Sequence, residues 1–264
     1  MSDDVLVERR GAALWLRLNR PERLNGLGPE LVDGLDAGLD AAEADDEVRA
    51  VVLAAQGRMF CAGADLKYIQ SMFSTPEEAA VNQQGFLRRL GRTFDRLEAF
   101  EKPVIAAVHG YALAGGLELV LCADLVIASR SAGFGDAHAN FGLIPGGGGT
   151  VRLPRRVGQS RAKYLMYTGE TLPAAELADT DLVTRLVDDD QLVAEVDRIV
   201  ASIAAKSPLG LTRMKQLSDD ALAAPIPVGL RREIEVSVLH VHSHDFREGL
   251  DAFNAKRRPE FTGR

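Results

Sequence analysis

Apolar positions outline the chain from its first residues. Val5–Val7 and Ala13–Leu18 are short apolar or alternating runs separated by Arg9-Arg10-Gly11, which predicts an opening β-hairpin. Asn19-Arg20-Pro21-Glu22 breaks the second strand. Leu31, Leu35, Leu39 and Ala42 then recur at helical spacing and predict a helix with one apolar face, followed by an apolar strand over Ala50–Ala54. The order returns along the chain. Strand Val51–Ala54 leads through a Gly/Ala turn to a helix from about Leu66. Strand Val104–Val108 leads through a Gly-rich turn to a helix from about Leu117, and strand Leu125–Ala128 follows. Strands alternating with helices predict a parallel, wound α/β core, without a sequence repeat of fixed period.

Ser71–Gln84 is polar and irregular, and reads equally as a mobile lid or a solvated helix. After Pro173 the chain becomes rich in Ala, Leu and charge, as in Gln191–Ala205 and Arg231–Phe253, which predicts helices. The expected organisation is a spiral β/α core over residues 1–195 and a helical C-terminal subdomain over residues 196–264.

Composition narrows the function classes. The 264 residues are 46% apolar and 26% charged, enough for a sizeable core. A net charge of −7 argues against nucleic acid as a partner, because phosphate binding needs a basic face. Cys61 and Cys122 are the two cysteines, too few for a disulfide framework and without the spacing of a zinc site. The opening MSDDVLVERRG is acidic where an export signal is basic, and no apolar run reaches the roughly 18–20 residues of a membrane span. A cytoplasmic protein with no membrane partner is expected.

The chemistry-bearing motifs begin with absences. There is no G-x-G-x-x-G after a strand, no GxxxxGK[ST], no G-x-S-x-G and no H-E-x-x-H. Support for a dinucleotide oxidoreductase, a P-loop NTPase, a serine hydrolase or a zincin falls accordingly. Two Gly/Ala turns remain, Phe60-Cys61-Ala62-Gly63-Ala64-Asp65-Leu66 and Gly110-Tyr111-Ala112-Leu113-Ala114-Gly115-Gly116-Leu117-Glu118. Each follows an apolar strand and precedes a helix. Small residues let a ligand approach the backbone, and a helix start leaves N–H groups unpaired. Either turn alone is also what a tight connection looks like.

Together the two turns resemble the crotonase, or enoyl-CoA hydratase/isomerase, family. The resemblance is carried by F-C-A-G-A-D-L at 60–66, K-P-V-I-A-A-V-H-G-Y-A-L-A-G-G-L-E-L at 102–119, C-A-D at 122–124 and F-G-x6-G-L-I-P-G-G-G-G-T at 134–150. N-R-P-E-R-L-N at 19–25 and F-R-E-G-L-D-A-F at 246–253 extend it over nearly the whole chain. The resemblance implies a ββα-spiral core and C-terminal helices that form a homotrimer, usually a dimer of trimers. It implies an acyl-CoA substrate, with coenzyme A entering as part of the thioester and no permanently bound cofactor or metal. It implies that the backbone N–H groups of Ala64 and Gly115 form an oxyanion hole. Arg23, Leu24, Ala62, Asp65 and Leu66 match positions that line bound coenzyme A, and Lys256 is placed to meet its phosphates. The tail Lys256-Arg257-Arg258 also reads as a solvated basic end.

Glu118 matches one of the two acidic residues of the hydratases. The second belongs four residues after Phe134 and four before Gly142, and that position is His138. An imidazole titrates near pH 6.5, so it can serve as general acid or base. Asp136, two residues away, would share a face with it in an extended segment and could orient it; it also reads as a surface turn residue. Gly146 stands where dienoyl-CoA isomerases and the chlorobenzoyl-CoA dehalogenase carry an aspartate, which disfavours those chemistries. His240 and His244 would share a helix face at i, i+4, without an evident third metal ligand. His109 reads as structural. Hydration or isomerisation of a 2-enoyl-CoA is the first reading. Acyl-CoA hydrolysis, decarboxylation, C–C cleavage and acyl-CoA binding without turnover are the alternatives.

Overall fold

The computed structural model describes residues 3–72 and 75–264. The expected hairpin forms between β1 (Val5–Arg10) and β2 (Ala13–Leu18), antiparallel with Val5 opposite Leu18. From β2 onward the sheet is parallel and passes through β3 (Ala50–Ala55) and β4 (Val104–Val108). The short β5 (Tyr111–Leu113) belongs to a second sheet, and β6 (Leu125–Ser129) returns to the first. The second sheet is completed by β7 (Gly133–Gly135) and β8 (Leu172–Pro173), the first by β9 (Arg185–Val187).

Parallel neighbours need long crossovers, and helices supply them. α1 (Pro29–Ala44) links β2 to β3; α2 (Leu66–Ser71) and α3 (Pro76–Glu98) link β3 to β4. α4 (Gly115–Leu121) runs from β5 to β6, and α5 (Gly149–Val157) and α6 (Gln159–Thr168) lie between β7 and β8. The chain closes with α7 (Leu192–Ala204), α8 (Pro208–Ala221), α9 (Ile226–His240) and α10 (His244–Asn254).

β3 and β4 are buried along their whole length, so successive side chains enter two different cores. Leu16, Val51, Leu53 and Ala106 meet one, with Leu31, Leu35 and Leu39 of α1. Trp15, Val52, Ile105 and Ile127 meet the other, which α7 covers with Leu192, Val196 and Val200. The division expected at residue 195 falls inside this helix.

Two local expectations change, and one open alternative is decided in favour of a helix. The Gly-rich turn expected after β4 contains the three-residue strand β5. Of the segment 71–84, Phe73 and Ser74 lie outside the described residues, and Pro76–Gln84 is the first part of α3. Thr75 caps it, its hydroxyl accepting from Glu78 N–H at 3.3 Å, with Pro76 in the first turn. His240 and His244 do not share a helix face. His240 ends α9, and Ser243 caps a new helix at His244 by accepting from Phe246 N–H.

Candidate active site

The two Gly/Ala turns come together. Leu27 N–H donates to Gly63 O at 2.8 Å and Asp65 N–H to Leu27 O at 2.9 Å, a parallel bridge that uses the groups on either side of Ala64. The Ala64 N–H therefore points away from Leu27. Cys61 N–H donates to Tyr111 O and Leu113 N–H to Cys61 O, which lays the second turn alongside the first. A side chain on Gly116 would begin 2.3 Å from Cys61 O, and one on Gly63 would begin 2.9 Å from the Ala114 methyl. Glycine at both positions is what lets the turns touch.

Ala114 has φ 48° and ψ −120°, a conformation that costs a non-glycine residue about 1–3 kcal/mol. Its own N–H is anchored on Gly135 O at 2.9 Å. The kink opens α4 so that Gly115 N–H precedes the first helical bond, made by Glu118 N–H to Ala114 O at 3.0 Å. Neither the Ala64 nor the Gly115 N–H has a hydrogen-bond partner among the described residues. A Cβ built on Gly115 lies 3.5 Å from Ala64 N, so the two unpaired donors are neighbours.

Arg23, Leu24, Ala62, Asp65 and Leu66 gather around the first turn. Leu24, at φ 52°, accepts from Ala62 N–H at 3.0 Å. Leu66 is about half exposed, and so is the Arg23 side chain. Asp65 is different, because its carboxylate is committed to the fold. Oδ1 accepts from the Lys67 and Tyr68 N–H groups and caps α2, while Oδ2 accepts from Arg20 at 3.1 Å and Arg23 at 3.2 Å. Burial alone would raise its pKa. The Tyr68 amide, Arg23 and the charge of Arg20 outweigh burial and hold the carboxyl below its ordinary value. Asp65 thus holds the turn that carries Ala64. Lys256 is exposed in a left-handed turn after α10, and no hydrogen bond joins its side chain to this cluster.

Glu118 lies one helical turn beyond Gly115 and is 3% exposed. Its Oε1 accepts from Gly147 N–H and Gly149 N–H, both at 2.8 Å. Its Oε2 faces His138 Nε2 at 3.9 Å. Burial pushes the Glu118 carboxyl above the usual carboxylate range, against the pull of the Gly149 amide and a charged His138. Burial pulls His138 the other way, but the hydrogen bond to Asp136 and the charges of Asp136 and Glu118 prevail and raise its pKa above 6.5.

Asp136 is buried, not a surface cap, and its Oδ1 lies 3.1 Å from His138 Nδ1. An extended strand does not bring them together. Ala137 adopts a left-handed φ of 55°, and the turn folds His138, the first residue of a 3-10 helix over His138–Phe141, back beside Asp136. The Gly147 and Gly149 amides were missed at the level of sequence; the run of four glycines at 146–149 was their only sign. His109 Nε2–H donates to Gly57 O at 2.8 Å, in keeping with a structural place. His240 contacts Arg213 and Phe246, and His244 contacts Asp245 and Thr262.

The sequence model of the enoyl-CoA hydratase/isomerase family matches residues 8–264. A Rhizobium meliloti protein named a probable enoyl-CoA hydratase is 37% identical over 262 residues, 99% of both chains. The 1,2-epoxyphenylacetyl-CoA isomerase of Escherichia coli is 36% identical, with 100% of both chains covered. Among solved structures, an enoyl-CoA hydratase from Bacillus anthracis matches with a TM-score of 0.92 at 33% identity, over 99% of this chain and 100% of that one. By sequence along nearly its full length and by fold, the chain belongs to the enoyl-CoA hydratase/isomerase family.

Proposed function

We propose that the protein acts on a 2-enoyl-CoA through a thioester enolate, as a hydratase first and a double-bond isomerase second. The observation that carries this reading is the pair of unpartnered amides at Ala64 and Gly115, one helical turn from the free oxygen of Glu118. The thioester oxygen sits on the two N–H groups. Donors preorganised for a developing oxyanion are worth about 3 kcal/mol each when one is lost.

In hydration, Glu118 Oε2 and His138 Nε2 hold one water between them. One of the pair takes a proton as the water oxygen bonds to Cβ, and the π electrons pass onto the thioester oxygen. The enolate then collapses as Cα takes a proton, so one water is added. In isomerisation the same groups remove a proton from one carbon and return it two carbons away. Arg23, Leu24, Ala62 and Leu66 line coenzyme A, Asp65 supports their turn, and Lys256 meets phosphate.

We place the protein in the cytoplasm, as a homotrimer or a dimer of trimers. Ile226, Leu230, Ile234 and Val238 form an i, i+4 stripe on α9, each more than half exposed. Such a stripe calls for a partner surface. A groove of about 650 Å³ between α8 and α9, lined by Met214, Leu217 and Leu230 among others, extends it. Light scattering on the purified chain measures the assembly.

The function is tested by incubating the protein with crotonyl-CoA and with longer and branched enoyl-CoAs. Loss of the conjugated thioester absorbance with gain of one water in the mass supports hydration. Unchanged mass with a moved double bond supports isomerisation, and loss of the acyl group supports hydrolysis. Tight binding across the panel with no product would sink the enzymatic reading.

A further inference from the structure

Asp136 is 2% exposed, and a carboxylate in that setting is costly unless something pairs with it. Its side chain has one hydrogen bond among the described residues, the 3.1 Å contact with His138 Nδ1. Among the described residues it caps no helix and pairs with no arginine or lysine. The backbone turns sharply between the two residues, where Ala137 stands at φ 55°. The left-handed region is one that residues other than glycine seldom adopt, and here it sets the two side chains against each other. Opposite, His138 Nε2 faces Glu118 Oε2 at 3.9 Å. Asp136, His138 and Glu118 therefore stand in line, with the imidazole in the middle.

We propose that Asp136 is a positioning residue that holds the proton on His138 Nδ1, so that the Nε2 of neutral His138 presents its lone pair beside Glu118 Oε2. This rests on the reading of His138 as an acid–base group in the enoyl-CoA reaction. A carboxylate on one ring nitrogen selects the tautomer and orientation at the other, as in hydrolytic triads, where exchanging the aspartate for asparagine leaves the geometry but gives the wrong tautomer. Here the consequence is specific. When a water adds to Cβ, its proton passes to Nε2, and the imidazolium that forms is balanced by Asp136 without the aspartate taking the proton. Glu118, entering as the carboxylic acid, orients the water and gives Cα its proton from Oε2, and the imidazolium proton on Nε2 then passes to Glu118 Oε2, so one water is added and the pair returns to its starting state.

The charged groups that face the imidazole are few. Asp136 comes from its own turn and Glu118 from α4. α6, which packs against the 138–141 turn, keeps Tyr164 on Glu170 at 2.7 Å and Arg161 on Asp179 at 2.9 Å, and carries Lys163 at an exposed position.

The test is the ring-nitrogen NMR of the full-length protein, with His138 assigned from the signal lost in His138→Gln. Above its titration the wild-type ring is expected to carry its proton on Nδ1. A proton on Nε2 in the wild type overturns the proposal without any variant at position 136. In Asp136→Asn the proton is expected to shift toward Nε2 and the titration midpoint to fall, because a negative neighbour has been removed. On whichever enoyl-CoA the wild type converts, kcat is expected to drop about 100-fold or more with KM within a few-fold. Asp136→Ala is expected to regain turnover with added formate, saturably. An unchanged tautomer and midpoint in Asp136→Asn, or a loss seen in KM alone, overturns the proposal. The NMR result holds whatever the substrate, so failure of the enoyl-CoA panel would strike the function and leave the Asp136–His138 assignment standing or falling by itself.

Discussion

His138 Nε2 stands 3.9 Å from Glu118 Oε2, the oxygen of that carboxylate that accepts from no backbone amide among the described residues. The Gly147 and Gly149 amides fix Oε1, so the Glu118 side chain presents a single free oxygen at a set position. Two groups whose pKa values are both shifted upward share this gap, a carboxyl raised mainly by burial and an imidazole raised, against burial, by the carboxylates around it.

Glu118→Gln is expected to lower kcat by about 100-fold or more and leave KM within a few-fold, the range for losing a general acid–base group. The glutamine oxygen can still accept from Gly147 and Gly149, so the loop keeps its anchor. Steady-state kinetics on the best enoyl-CoA of the panel give the answer. A variant within tenfold of wild type would reduce Glu118 to a tether for the glycine loop.

His138 leaves a signature in stability as well as in rate. The fold raises its pKa above 6.5, so the native state binds this proton more tightly than the unfolded chain does. That contribution is fully present below about pH 6.5 and fades as pH rises through the folded value. The melting-temperature gap between wild type and His138→Gln should therefore be wider near pH ~6 than near pH ~9. A gap that grows with pH would mean that His138 is held neutral. In the rate profile, the limb assigned to the imidazole should lie above about 6.5 and vanish in His138→Ala. His138→Glu, which restores two carboxylates, should raise crotonyl-CoA hydration if the cavity otherwise suits a water there.

Asp65 is expected to act on the oxyanion hole from behind. Asp65→Asn removes a buried charge from between Arg20 and Arg23 and weakens the cap of α2, with an expected loss on the order of 2 kcal/mol at neutral pH. The fold lowers this carboxyl pKa, so its contribution is present above about 3.8 and is lost as pH falls through the folded value. Denaturant melts of the two proteins should converge in acid. If Asp65 instead bound coenzyme A directly, the loss would appear in KM with stability unchanged.

The periodic parts of the fold were legible because burial repeats with the backbone. Leu31, Leu35 and Leu39 fall on one face of α1, and the strands β3 and β4 show as unbroken apolar runs. β5 was hidden because three residues carry no period. The first turns of α3 were ambiguous for a similar reason: Asn82, Gln83 and Gln84 face solvent, the one buried apolar residue described before them is the small Ala79, and the large apolar residues of the buried face start only at Phe86, Leu90 and Phe94. In the site, motif spacing located Glu118 and His138. It did not reveal that the partners of Glu118 are backbone amides, since an N–H has no letter in a sequence. Nor could it show that Asp136 reaches His138 through a left-handed alanine, because residue type left that angle open. The Arg20–Asp65 pair spans 45 positions and needed the fold to be seen.

The role of the Gly115 amide can be separated from the need for space beside Gly115 by two substitutions. Gly115 is the first residue of α4, a place where proline is tolerated because that N–H makes no helical bond. Gly115→Pro therefore deletes the proposed oxyanion donor without breaking a hydrogen bond of the fold, although its ring meets the same Leu27 methyl as any side chain there. Gly115→Ala is the control. Its methyl would begin 3.0 Å from Leu27 Cδ1, a contact the end of a leucine can relieve, and its N–H remains. The alanine variant should keep turnover within about tenfold. The proline variant should lose about 100- to 1000-fold in kcat, the measured scale for one oxyanion-hole donor. Both should match wild type in light scattering, which shows that assembly survives. Equal losses in the two variants would assign the effect to crowding against Leu27, and an active, assembled proline variant would remove the Gly115 N–H from the mechanism.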